Sequence, residues 1–140
     1  MRAFIDTSSL IKKYQMEPGR DRFLKILAAV DEIVISPVTY IELLCSIQRN
    51  CEEAHLSRRD LLRFKEECDL DFSYYLKIPF NEELERAAYD LRQKYRLKSL
   101  DLIQLSSAKI AQAKIFITSD KFLYKIACRE FKNNEVELIV

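Results

Sequence analysis

Several kinds of chemistry are closed to this chain because the residues they need are missing. Gly19 is the only glycine, so neither a Walker loop nor a G-x-G-x-x-G turn can bring backbone N–H groups against phosphates. His55 is the only histidine, which excludes any mechanism built on two imidazoles. It stands in the polar stretch Glu52-Glu53-Ala54-His55-Leu56-Ser57 between two helical patterns, where a solvated loop position is expected rather than a base or a ligand. The four cysteines, Cys45, Cys51, Cys68 and Cys128, contain no C-x-x-C pair, and with no leader-like segment ahead of them they read as reduced thiols of a cytoplasmic protein. No apolar run approaches the roughly 20 residues of a membrane-spanning helix, so no membrane association is expected. Neither sign of charge is in excess: 23 Lys and Arg against 22 Asp and Glu leave a formal net charge of +1, which names no partner. Chemistry, if present, must rest on carboxylates and hydroxyls.

The 140 residues suffice for one domain with a core that needs no disulfide or structural metal, and a single domain over 1–140 is expected. Residues 2–6 read as a strand, and the Thr7-Ser8-Ser9 group after it can cap a helix. Pro18 opens a second helix with Phe23, Leu24, Leu27 and Ala28 at helical spacing, and Ile33-Val34-Ile35 is a short β-branched strand. A third helix runs from Pro37 to about Ala54, a fourth from its cap Ser57 to about Tyr74, and a fifth from Asn81 to near Tyr95, with a brief edge strand at 76–79. Ser99 is read as the cap of a sixth helix through Ala113, 115–118 as a strand, Asp120 as the start of a seventh helix and 136–140 as the last strand. Strands separated by helices predict an α/β fold, a three-layer α/β/α sandwich around a mostly parallel sheet, with the fourth helix forming a helical hairpin insertion. In such sheets ligands bind beyond the carboxyl ends of the strands, where Asp6 and Asp120 fall.

Each of these acids alone has a structural explanation as a helix cap. Asp101 has a weaker one. It shares its helical face with Leu105 and Ala108, and an ionised carboxylate turned toward a core is costly unless paired or bound to metal. Glu42 borders the apolar stripe Val38, Ile41 and Cys45 of the third helix, where a boundary ion pair is the plain alternative. Together the four form a set of hard oxygen donors that suits magnesium or manganese and that would repel itself without one.

The segments 4–14 (FIDTSSLIKKY), 38–43 (VTYIEL), 97–108 (LKSLDLIQLSSA) and 116–123 (FITSDKFL) resemble, in order, the four signature blocks of PIN domains, most closely those of VapC-type toxin ribonucleases. The resemblance runs from end to end. It implies that Asp6, Glu42, Asp101 and Asp120 are the catalytic, metal-holding acids and that Thr7, Ser8 and Ser119 are the polar residues beside them. It also implies hydrolysis of RNA to 3′-hydroxyl and 5′-phosphate ends with Mg2+ or Mn2+, and a cognate antitoxin. Gln104 departs from the many relatives that carry histidine there and leaves the acids intact.

An acidic site must still attract a polyanion. The acid-free run Arg92, Lys94, Arg96 and Lys98 is the first candidate for an RNA track and Arg58, Arg59 and Arg63 the second, with solvated helix ends as the plain alternative. Tyr14, Tyr74, Tyr75 and Tyr95 are candidates for base stacking, against ordinary packing. Leu43 and Ile47 lie opposite the Val38–Cys45 face of the third helix, predicting a second apolar face for a homodimer or the antitoxin, unless the fourth helix covers it. The competing functions are an RNA-processing nuclease with the same acids, a non-catalytic binding module, and an aspartyl phosphoacceptor. The last lacks the paired acids after the first strand and an acid at the end of the 33–36 strand.

Overall fold

Side chains on a strand alternate between two faces, and in this computed structural model, which describes residues 1–131 and 135–140, both faces are apolar and covered. Ala3 and Ile5 of β1 (Arg2–Ile5), Ile35 of β2 (Glu32–Ile35) and Ile115 and Ile117 of β4 (Ile115–Thr118) enter one core cluster, while Phe4, Val34 and Phe116 enter the other. A strand buried on both sides reads as a continuous apolar run, which is why Ala3-Phe4-Ile5 and Ile115-Phe116-Ile117 show no polar alternation. Phe4 and Phe116, paired in register, stack with ring centroids 5.7 Å apart.

The five strands, completed by β3 (Leu76–Lys77) and β5 (Glu135–Leu138), lie in the order β3-β2-β1-β4-β5, with every neighbouring pair parallel. One face is covered by α1 (Thr7–Tyr14), α2 (Arg20–Leu27), α3 (Thr39–Glu53) and α4 (Arg58–Phe72). The other is covered by α5 (Glu82–Lys94), α6 (Ser99–Ala111) and α7 (Lys121–Glu130). The chain winds outward from β1 through β2 to β3 with its helices on the first face, then returns to β4 and β5 with its helices on the second. The reversal falls between β1 and β4, and a crevice opens there at the strand ends because the helices following the two strands leave to opposite faces.

Local chemistry sets the helix starts. Ser57 and Asp60 exchange side-chain and backbone bonds as a capping box for α4, at 3.2 and 3.3 Å. Asn81 caps α5 through Leu84 N–H at 3.1 Å. The expectation for α6 is corrected: Lys98 is its N-cap, without a side-chain bond, and Ser99 is its first residue. The turn into α3 begins two residues beyond Pro37, where the Thr39 hydroxyl accepts from the Ser36 backbone N–H at 3.2 Å.

The faces of α3 are the reverse of the sequence reading. Leu43 and Ile47 are fully buried with Cys51 beneath the chain's own α1 and α4, while Ile41 is 57 % exposed and Cys45 lies at the surface. The covering is intramolecular because α4 folds back along α3, bringing Leu61 and Phe64 onto the same cluster. Lys13 on α1 ties this layer together, donating to Asp71 on α4 at 2.6 Å beside the Tyr14 hydroxyl, which donates to the same oxygen at 2.8 Å.

Candidate active site

Asp6 is the residue at which β1 becomes α1. Its backbone N–H donates to the Ile117 carbonyl at 2.9 Å, extending the β1–β4 ladder by one step and setting Asp6 beside Thr118. Although Asp6 is the N-cap of α1, its carboxylate makes no capping bond. One oxygen, Oδ2, accepts instead from the Ser8 hydroxyl at 2.5 Å and the Thr118 hydroxyl at 2.9 Å. With Asp6 only 5 % exposed, burial pushes its pKa up to about 6. The two hydroxyls oppose that rise without cancelling it, and Glu42 and Asp101 add to it.

Asp101, in the first turn of α6, is half-buried, and its pKa is also raised, first by burial and then by Asp120 and Glu42, with Lys98 opposing. Asp120 caps α7 by accepting from Leu123 N–H at 2.8 Å, so its capping role and its place at the site coexist. Glu42 is held from two sides: its Oε1 accepts from the Thr7 hydroxyl at 3.1 Å and from the Gln104 amide at 2.7 Å. Gln104 is 1 % exposed, and its Nε2 also lies 2.9 Å from the Thr7 hydroxyl and 3.3 Å from that of Thr39. Its Oε1 is buried without a partner.

All four acids line one cavity of about 390 Å³. Thr7 and Ser8 share that wall. Ser119 does not: its hydroxyl pairs with Ser9 at 2.8 Å, and it serves the site only by donating its backbone N–H to the Ser8 oxygen at 2.9 Å. Sequence reasoning missed Thr118 and Thr39, and it noted Gln104 only as a departure from histidine without its hold on Glu42. The signal for Thr118 was its place at the end of β4, directly across the ladder from Asp6. Gln104 and Thr39 carried a spacing signal, each three residues from an acid on its own helix.

None of the basic run, Arg92, Lys94, Arg96 and Lys98, lines the cavity, and Lys94 pairs with Glu130 at 3.4 Å. Lys98 alone is felt at the site, through its effect on Asp101. Arg58, Arg59 and Arg63 line a separate groove on α4. Tyr14 and Tyr75 are hydrogen-bonded to each other at 3.2 Å, and Tyr95 donates to Glu130 at 2.9 Å, so these three are packing residues. Tyr74 is open to solvent at 81 % exposed.

The donor set suits a hard divalent ion, since no thiolate or imidazole lines the cavity. Among the described residues no three acids converge closely enough to cage an ion on their own.

The PIN domain family model matches residues 3–128. The chain belongs to the PIN-domain family. Among curated proteins none matches it. Solved PIN-like structures share the fold across nearly the whole chain. A toxin–antitoxin complex from Klebsiella pneumoniae superposes with a TM-score of 0.66 at 20 % identity, covering 99 % of this chain and 98 % of that one. FitAcB from Neisseria gonorrhoeae gives 0.69 at 15 % identity, covering 96 % and 95 %. VapC20 of Mycobacterium tuberculosis, a toxin that cleaves the sarcin-ricin loop, gives 0.68 at 12 % identity, covering 89 % and 94 %. The all-parallel sheet and its two helical layers are therefore the PIN fold, and the acid-lined cavity is where a PIN nuclease site is to be sought. Among the described residues no helix is long and apolar enough to cross a membrane.

Proposed function

We propose that this PIN domain is a divalent-metal-dependent endoribonuclease and the toxin of a toxin–antitoxin pair. The observation that carries the reading is the meeting of four carboxylates in one cavity at the switch point of the sheet, with no lysine or arginine paired to any of them among the described residues. Asp6, Asp101 and Asp120 would hold Mg2+ or Mn2+, with Glu42 joining directly or through water. When bound, the ion supplies Lewis-acid activation of water and neutralises charge on the attacked phosphate.

The chain's own residues do the positioning. Ser8 and Thr118 fix the Asp6 carboxylate by donating to one of its oxygens. Thr7 and Gln104 occupy Oε1 of Glu42, leaving Oε2 to meet the ion or to orient the attacking water. Hydrolysis would leave a 3′-hydroxyl and a 5′-phosphate. The RNA substrate is supported by the likeness to the sarcin-ricin-loop-cleaving toxin, and the antitoxin partner by the likeness to the Klebsiella complex, both being likenesses of fold.

The test is to incubate pure protein with structured and single-stranded RNAs in magnesium, manganese or chelator, beside Asp6→Asn and Asp101→Asn. Cleavage is expected only with a divalent ion, and each variant should lose on the order of a hundredfold or more. Cleavage that persists in chelator would refute the reading.

A further inference from the structure

Four acids gathered in one cavity repel the polyanion they are proposed to cut, so something near them must hold its backbone. Among the described residues Arg49 is the only basic side chain lining that cavity. It sits on α3, seven residues beyond Glu42, with Ser46 between them and Asn50 next to it, all four on one stripe of the helix and all lining the same cavity. Seven residues of helix place its Cα about 10 Å along the axis from that of Glu42. It is exposed, and among the described residues it has neither an ion-pair nor a hydrogen-bond partner. Arg2, Arg22, Arg63 and Arg86, by contrast, each pair with a carboxylate. The remaining acid of the cavity wall, Glu17, does not take up this charge, because it pairs with Lys12 at 3.3 Å. Asn50 is anchored through its amide to Gln15 at 2.8 Å, which leaves its side-chain oxygen to the cavity.

We propose that Arg49 is a phosphate-holding residue, binding a backbone phosphate of single-stranded RNA that neighbours the one cleaved. The inference rests on the nucleolytic reading above and adds the direction in which the strand leaves the acids: along α3, from Glu42 past Ser46 to Arg49. It also replaces the Arg92–Lys98 run as the principal cationic contact, since none of those four residues lines the cavity. An arginine suits the task because its planar fork can bond two phosphate oxygens, whereas a lysine supplies only a point charge. Since phosphate contacts carry no sequence information, the contribution of Arg49 is the same for any base sequence.

The test separates binding from turnover. In an Asp6→Asn background with manganese present, short single-stranded RNAs of two different sequences are titrated by fluorescence anisotropy over a series of salt concentrations. Adding Arg49→Ala is expected to weaken both RNAs by roughly tenfold and to reduce the slope of log affinity against log salt by about 0.7, the value for one phosphate contact on a single strand. Arg49→Lys should restore the slope and part of the affinity, and Arg86→Ala should change neither. In the otherwise native protein Arg49→Ala should raise KM with little change in kcat. Unchanged affinity and slope in the Arg49→Ala protein would overturn the inference, as would a loss confined to one RNA sequence. If the native protein cleaves no RNA, the nucleolytic reading fails, while the anisotropy series still decides the role of Arg49.

Discussion

Two carboxylates in this protein are withdrawn from solvent, Asp6 more deeply than Glu130, and behave in opposite ways. Glu130 is half-buried with its side chain tucked against the ends of three helices, and Asp6 is buried. Burial pushes both toward the protonated form. At Glu130 that push is overcome by Lys109 at 2.5 Å, the Tyr95 hydroxyl at 2.9 Å and Lys94, so its pKa falls below the ordinary range. At Asp6 only two neutral hydroxyls assist, and the pKa climbs to about 6. Glu130 joins the ends of α5, α6 and α7 and serves as a clamp. Asp6 joins nothing that needs its charge. A buried acid supplied with cations by its own chain is structural, and one left without them fits the proposed role of meeting a cation from solution.

The contrast can be broken most sharply through stability. Between pH values near 3.8 and about 6 the folded Asp6 carboxyl holds a proton that the unfolded one has released. Stability without metal should therefore fall as pH rises through that window, and the loss, roughly 3 kcal/mol, should persist above it. Asp6→Asn should remove that component. In chelator at pH 7.5 the variant should be more stable than wild type, and near pH 4 the difference should vanish. Urea unfolding of both proteins at the two pH values measures it, and a variant less stable at pH 7.5 would mark Asp6 as structural.

A smaller effect is expected at Gln104. Gln104→Leu takes the amide donor from Glu42 and should cut cleavage by on the order of tenfold or more, whereas Gln104→His, which can keep an N–H donor there, should retain more activity. Equal activity in both variants would mean that Glu42 needs no positioning. The smallest effect belongs to the clamp: Glu130→Gln should cost about 1 kcal/mol with or without metal and leave cleavage unchanged, as melting curves and an RNA assay together would show.

The acids stood out in the sequence because two end strands at the sheet edge and two share helical stripes with apolar residues such as Leu105 and Ala108. The order of elements was readable for a similar reason, since apolar period and cap chemistry act over a few residues. What could not be read depends on which helix lies over which. Leu43 and Ile47 have the same hydropathy whether α4 or another molecule covers them, and the pattern of α3 alone does not choose. Thr118, and the hold of Gln104 on Glu42, were missed because their importance comes from neighbours distant in sequence, across β1–β4 for one and across α3–α6 for the other. The basic run before Asp101 does not line the cavity, because nearness along the chain does not fix nearness in space, and only Lys98 acts on Asp101.

The cavity draws its acids from residues 6, 42, 101 and 120, and β1 meets β4 only after more than a hundred residues have been made. During synthesis a chain that has not yet reached Asp120 has one carboxylate missing and no β4 to support Asp6. Long-range parallel pairing of this kind also forms late, because the loop must close before its contacts reward it. A growing polypeptide of this sequence therefore lacks the complete four-acid cavity until Asp120 and the strand that supports Asp6 have both been made.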